Sequence, residues 1–111
     1  MSYSFNVENE ILIVKIEEKR ATIEFSGTLK DDLIKKIEQG NSKVIIDLSA
    51  TEFVDSSFLG TLVAGLKKTD INSGNLKIVD LQEPVRVIFE LTRLYKIFEI
   101  FDTVEDALNS F

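Results

Sequence analysis

The sequence predicts an α/β fold in which one mixed β-sheet carries its helices mainly on one face. The first 25 residues contain closely spaced apolar segments with partial alternation, which is typical of antiparallel strands at a sheet edge. Residues 43–48 and 76–81 are short apolar runs of the kind found in strands covered on both faces. A segment with helical apolar spacing precedes each run, so we expect right-handed crossovers and a parallel portion of sheet.

Composition indicates one soluble domain, and we expect residues 1–111 to form it, since 44% of the residues are hydrophobic and 29% are charged. The net charge of −6 argues against a nucleic-acid partner, because phosphate binding needs a basic surface. The chain lacks cysteine and histidine, which excludes disulfides and removes the commonest general base and metal ligand. Without a signal peptide or an apolar run of about 20 residues, we expect a cytoplasmic, monomeric protein that uses no metal or cofactor.

Three N-terminal strands are predicted, at residues 3–7, 11–16 and 21–25. Short polar breaks at residues 8–9 and 17–20 separate them and suit hairpin turns. These strands are therefore placed at the antiparallel edge of the sheet.

Four helices are predicted after them. The first begins after residues 26–28 and ends at Gly40, the second opens at Asp55, and the third has Pro84 in its first turn. A short C-terminal helix opens at residues 103–106, which outline a capping box. The apolar stripes of the three longer helices are Leu29, Leu33, Ile34 and Ile37; Leu59, Leu62, Val63 and Leu66; and Val85, Ile88 and Leu91 with Thr92 or Tyr95.

The most informative feature is the turn in which Asp55, Ser56 and Ser57 open the second helix. Backbone N–H groups at a helix N-terminus lack intrahelical partners and the helix dipole is positive there, so a phosphate on a serine hydroxyl would be stabilised. Aspartate and serine are also the favoured N-cap residues, which contribute typically ~1 kcal/mol. By spacing alone a simple cap is the more frequent explanation, and the two roles are compatible.

Residues 45–49 (Ile-Ile-Asp-Leu-Ser) and 53–60 (Phe-Val-Asp-Ser-Ser-Phe-Leu-Gly) closely resemble the strand and the Asp-Ser-Ser/Thr-Gly-Leu-Gly signature of the STAS family of bacterial anti-sigma factor antagonists. Residues 26–29 resemble the Gly-Glu-Leu-Asp corner before that family's first helix. Residues 84–94 resemble its third helix, and residues 98–108 its usual ending. The resemblance covers nearly the whole chain and implies a STAS-like fold.

The resemblance also implies a partner switch. In that family the serine directly after the aspartate is phosphorylated, which here is Ser56. The unphosphorylated protein would bind an anti-sigma factor serine kinase, phosphorylation would end the binding, and a PP2C-type phosphatase would reset the cycle. The protein would thus be a substrate and not an enzyme. The partner-binding residues would be Asp55, Ser57, Phe58, Leu59 and Gly60.

Three departures from the family pattern support an alternative. Phe58 replaces a glycine, and we expect it at the boundary of its helix stripe, either packing over the core edge or contacting a partner. Lys30 stands where the corner has its acidic residue, although Asp31 follows, and the first helix is expected to be short. The alternative is a STAS scaffold or small-ligand-sensing module with an inactive phosphorylation site. A third hypothesis, an enzyme that relies on the carboxylate of Asp55, is weaker.

Other polar residues have structural explanations. Adjacent Asp31 and Asp32 diverge on a helix, so a solvated face explains them better than a metal pair does. Asp47, at the end of a buried strand, is predicted to bond the neighbouring loop. Ser56 lacks a histidine that would activate it as a nucleophile.

Overall fold

The computed structural model describes residues 3–111. The strands are β1 (Tyr3–Glu8), β2 (Ile11–Ile16), β3 (Arg20–Ala21), β4 (Lys43–Asp47), β5 (Phe53–Val54), β6 (Asn75–Val79) and β7 (Glu99–Phe101). The helices are α1 (Ile23–Glu38), α2 (Ser56–Ile71), α3 (Glu83–Leu91) and α4 (Val104–Asn109), with a 3-10 turn at Leu94–Lys96.

The main sheet has the strand order β1-β2-β4-β6-β7. Strands β1 and β2 are antiparallel and all other neighbours are parallel, which confirms the predicted mixed sheet with an antiparallel N-terminal edge. A two-residue loop of Asn9 and Glu10 closes the first hairpin, with φ of 53° and 66°. Positive φ at both loop residues matches the right-handed twist of the flanking strands.

The helices are divided unequally between the two faces of the sheet. Helices α1, α2 and α3 cover one face, where Leu33, Leu62 and Phe89 pack into the main core. Helix α4 covers the other face, where Ala107 packs against Ile45 and neighbouring strand residues. The prediction of helices mainly on one face is therefore confirmed.

Helix α1 is longer than the sequence pattern predicts. It starts at Ile23 and spans 16 residues, so the predicted strand over residues 21–25 and the predicted short first helix are wrong. The stripe that faces the core continues from Leu29 back to Ser26, which is buried and donates its hydroxyl to the carbonyl oxygen of Thr22 at 2.6 Å. Because Ser26 is polar, hydropathy alone places the start of the buried stripe at Leu29, about one turn too late in the chain.

The second predicted hairpin, at residues 17–20, is also wrong. Strand β2 pairs in parallel with β4, and the two-residue strand β3 pairs in parallel with β5. Residues 17–20 instead lead the chain from the main sheet into this small second sheet. The β3–β5 pair lies directly before α1 and α2, so it brings the first turns of the two helices side by side.

The remaining helix predictions hold with one correction. Pro84 lies in the first turn of α3, and Gly40, with a φ of 111°, follows the end of α1. The Thr103 hydroxyl accepts a hydrogen bond from the N–H of Asp106 at 3.1 Å, as the capping box predicts. In α3, however, the end of the predicted stripe is wrong. Leu91 is 79% exposed, Thr92 and Tyr95 are also exposed and lie beyond the helix, and the buried residues are Val85 and Phe89.

Candidate functional site

The candidate site lies where β5 gives way to α2. Asp55 is the N-cap of α2 with extended backbone, and its Oδ1 accepts a hydrogen bond from the N–H of Phe58 at 2.9 Å. Ser56 is the first residue of the helix and is exposed. Aspartate thus supplies the cap, which leaves the Ser56 hydroxyl at the surface beside the positive end of the helix dipole.

The second oxygen of Asp55 reaches the other helix. Its Oδ2 accepts a hydrogen bond at 2.9 Å from the N–H of Ile23, the first residue of α1. The backbone N–H of Asp55 also donates to the carbonyl oxygen of Ala21 at 3.2 Å. One carboxylate therefore lies at the positive ends of two helix dipoles, and both of its oxygens accept a backbone N–H.

Phe58 is fully buried, so the expectation of a boundary residue is wrong. Its ring packs against Phe25 at a centroid distance of 5.9 Å, and Phe25 stacks in turn on Tyr3 at 6.2 Å. The physical reason is that α1 extends back to Ile23, which places Phe25 over the start of α2. The Phe58 side chain belongs to the core, and only its backbone N–H takes part in the turn.

The other predicted partner-binding residues lie along the first turns of α2. Ser57 and Leu59 are partly buried and Gly60 is exposed. A groove of about 380 Å³ runs between α2 and α1. It is lined by Ser57, Gly60 and Thr61 on one side and by Ile23, Ser26, Gly27 and Lys30 on the other.

Three residues beside the turn were missed by the sequence analysis. Ile23 is 69% exposed and Phe53 is 36% exposed, and both line an open cleft of about 500 Å³ next to Asp55. The guanidinium of Arg20 lies 4.3 Å from the centroid of the Phe53 ring. The assignment of residues 21–25 to a strand hid the position of Ile23. Arg20 and Phe53 are brought together by the pairing of β3 with β5, which no local motif marks.

Asp47 and Asp32 have local structural roles. The Oδ1 of Asp47 accepts a hydrogen bond from the N–H of Ser49 at 2.9 Å, which confirms the predicted bond to the neighbouring loop. Asp32 accepts a hydrogen bond from the Tyr3 hydroxyl. Burial, together with this carboxylate, raises the pKa of Tyr3 to about 12. Asp31 is exposed.

Within residues 3–111, no set of three or more acidic side chains is placed to hold a metal ion. None of the helices in this part of the chain combines the length and apolar character needed to cross a membrane.

Comparison with known proteins places this geometry in a family. The model of the STAS domain matches residues 3–107. The chain belongs to the STAS domain family. A Thermotoga maritima protein assigned as an anti-sigma factor antagonist is 27% identical over 107 residues, which cover 96% of this chain and 94% of that protein.

Solved structures share the STAS fold. The crystal structure of a Thermotoga maritima protein assigned as an anti-sigma factor antagonist superposes with a TM-score of 0.87 at 25% identity, covering 97% of this chain and 92% of that one. The anti-sigma factor antagonist SpoIIAA in its unphosphorylated form gives a TM-score of 0.85 at 15% identity, with coverage of 97% and 94%. At this lower identity the likeness is one of fold.

The STAS assignment requires one correction to the sequence comparison. Residues 26–29 lie inside α1, so they cannot form a corner before the first helix. The chain enters α1 through residues 17–22 instead. Lys30 is consequently a groove residue in the second turn of α1 and not a replacement for the corner's acidic residue.

Proposed function

We propose that this STAS protein is an anti-sigma factor antagonist that works by phosphorylation-controlled partner switching. Unphosphorylated, it binds an anti-sigma factor serine kinase; phosphorylated on Ser56, it releases the kinase; and a PP2C-type phosphatase restores the first state. The observation that carries the proposal is the exposed Ser56 at the first position of α2, directly after a capping aspartate. The names of the similar proteins support the same function.

The electrostatics of the turn are compatible with a phosphate group that is added to Ser56 and removed again. A phosphoserine adds about −1.5 to −2 charge at neutral pH. The N-terminus of α2 stabilises negative charge, so the fold tolerates the modification. The same charge lies beside Asp55 on a domain of net charge −6, so it weakens a partner interface through repulsion and desolvation.

The partner surface that we propose surrounds Ser56. Asp55, Ser57, Leu59 and Gly60 would contribute directly, whereas Phe58 supports the turn from inside the core. The protein acts as the kinase's substrate and is not itself an enzyme. We further propose that residues 1–111 form a single STAS domain that is monomeric and cytoplasmic.

Phosphorylation can be tested with the anti-sigma serine kinases of the organism that carries this gene. Each kinase is incubated with the protein and Mg-ATP, and the modified residue is mapped by mass spectrometry. We expect label on Ser56 in the unmodified sequence and in Ser4→Ala, a control that replaces an exposed serine of β1 outside the proposed surface, and none in Ser56→Ala. Undiminished label in Ser56→Ala would disprove the assignment.

The alternative is a scaffold or small-ligand-sensing module with an inactive phosphorylation site. Phe58 and Lys30 are the two departures from the family pattern that suggest it. Phe58 is buried and does not project towards a partner, so it no longer supports the alternative, and Lys30 lies in the groove beside Gly60. Equal kinase binding by Ser56→Asp and the unmodified sequence would favour this alternative.

A further inference from the structure

Asp55 joins the N-terminal ends of α1 and α2 through one carboxylate. We propose that Asp55 is a positioning residue for the recognition of Ser56, because this bridge fixes the first turn of α1 beside the Ser56 turn. The kinase then meets one preformed surface made of both helices. The inference rests on the proposed function and extends the recognised surface to Ile23, which the family signature does not include.

The bridge is made by two hydrogen bonds of equal length. Oδ1 accepts from Phe58 N–H and Oδ2 accepts from Ile23 N–H, each at 2.9 Å. The donors belong to helices that start 33 residues apart in the chain, at Ile23 and Ser56. Thr22, the N-cap residue of α1, makes no capping bond with its own side chain, and its hydroxyl donates to Glu24 instead. Asp55 therefore supplies a cap for α1 from across the fold.

Only a carboxylate satisfies both donors. Asparagine is nearly as good an N-cap as aspartate, but its side chain has one acceptor oxygen and one donating amide group. In Asp55→Asn one of the two N–H groups must face an NH₂ group, so one cap is lost while the other survives. Serine or threonine would likewise offer a single oxygen.

The bridge holds together the surface that a kinase must contact. Ile23 is 69% exposed and lines the groove opposite Ser57 and Gly60. If the start of α1 could move relative to Ser56, each binding event would have to order it again, at a cost in affinity. Loss of the bridge should thus act mainly on substrate binding and less on the phosphoryl-transfer step.

The sharpest test compares Ile23→Pro with Ile23→Ala. Proline is favoured at the first position of a helix and lacks the N–H that Asp55 accepts. Thr22, with φ −125° and ψ −178°, already has the extended conformation that a residue before proline adopts. Both variants lose the isoleucine side chain, but only Ile23→Ala keeps the donor.

Steady-state phosphorylation is measured with the kinase found to label Ser56. We expect the KM of Ile23→Pro to exceed that of Ile23→Ala by about fivefold to tenfold, because ordering the freed start of α1 should cost about as much as one ordinary hydrogen bond contributes. We expect the kcat values of the two variants to agree within about twofold. A purely structural role would lower thermal stability in Ile23→Pro and leave KM equal to that of Ile23→Ala, which would overturn the inference.

Amide hydrogen exchange tests the bridge without a kinase. The Ile23 amide should be protected in the unmodified protein and exchange at least about tenfold faster in Asp55→Asn, or else the Phe58 amide should do so. Exchange of both amides at unchanged rates in Asp55→Asn would overturn the bridge. If no kinase labels Ser56, the proposed function fails and the recognition role fails with it. If a kinase labels Ser56 but the KM values of Ile23→Pro and Ile23→Ala are equal, only the further inference fails.

Discussion

The ring of Phe58 packs on the ring of Phe25, with the two planes inclined by 38°. This contact joins the first turns of α2 and α1 inside the core, directly below the hydrogen bonds that Asp55 makes at the surface. Tyr3 of β1 continues the aromatic row on the far side of Phe25. Phe58, which departs from the family's usual glycine, is thus part of what holds the Ser56 turn in place.

Replacing Phe58 with the family's glycine should strongly destabilise the fold. Loss of a buried phenylalanine costs about 3–5 kcal/mol, and a glycine inside a helix adds about 1 kcal/mol relative to alanine. Urea unfolding measures the change. Phe58→Leu, which keeps most of the volume, should cost clearly less, and equal stability of Phe58→Gly and the unmodified sequence would contradict the packing role.

Two glycines of α2 should respond in opposite ways to alanine. A Cβ at Gly65 would lie 2.9 Å from side-chain carbons of both Leu33 and Leu76, whereas a Cβ at Gly60 would meet nothing within 4 Å. Gly60→Ala should stabilise the protein by up to about 1 kcal/mol through helix propensity. Gly65→Ala should destabilise it by about 1–2 kcal/mol, because overpacking outweighs that gain.

Thermal unfolding of the two glycine variants shows directly whether each alanine raises or lowers the stability of the protein. A stabilised Gly65→Ala would mean that Leu33 and Leu76 move aside without cost. Gly60→Ala is also informative in the kinase assay, since a methyl group there enters the groove between the helices.

The raised pKa of Tyr3 predicts a loss of stability in alkaline solution. The folded state holds the phenol protonated up to a pKa of about 12, against an ordinary value of 10.0. The protonated phenol of Tyr3 therefore makes its full contribution to the free energy of unfolding below pH 10. That contribution is lost as the pH rises from 10 through 12, by roughly 2–3 kcal/mol in total. The difference in unfolding free energy between the unmodified sequence and Tyr3→Phe, measured across that range, isolates this effect, and a constant difference would contradict it.

Lys77 is a buried charge that bonds the C-terminal segment and also pairs with the exposed carboxylate of Glu99 at 3.8 Å. It is 3% exposed, and its Nζ donates to the hydroxyl and carbonyl oxygens of Ser110 at 2.7 and 3.1 Å. The Phe111 ring centroid lies 4.2 Å from the same atom. Ser110→Ala removes one acceptor from a buried ammonium and should cost about 1–3 kcal/mol.

Removing the Lys77 charge itself should cost less than removing its partner. Lys77→Met keeps much of the side-chain volume and avoids the desolvation penalty, so we expect it to be more stable than Ser110→Ala. Lys67→Met, at an exposed position of α2, is the control and should change stability by less than about 0.5 kcal/mol. The prediction fails if Lys77→Met is the least stable of the three in guanidinium unfolding.

The regular apolar patterns predicted the mixed sheet and α2, because burial on a helix or strand face imposes periodic sequence. The Asp55-Ser56 turn was predicted from its capping residues and from the family resemblance. The start of α1 escaped prediction for a physical reason. Ile23 is apolar yet exposed, whereas Ser26 is polar yet buried, so the two residues reverse the usual rule at the point where the helix begins. The contact between Asp55 and Ile23 could not be predicted either, since it depends on the β3–β5 pairing between distant segments.

The shared carboxylate has a consequence for how this family can vary. A chain that replaces Asp55 with serine keeps a cap on the second helix but leaves the backbone N–H at position 23 without its carboxylate acceptor. The hydroxyl at position 22, which here donates to Glu24, is the nearest side-chain group in sequence that could cap the N-terminus of the first helix instead. Positions 22 and 55 should therefore covary, with a capping side chain at 22 required mainly where 55 is not aspartate.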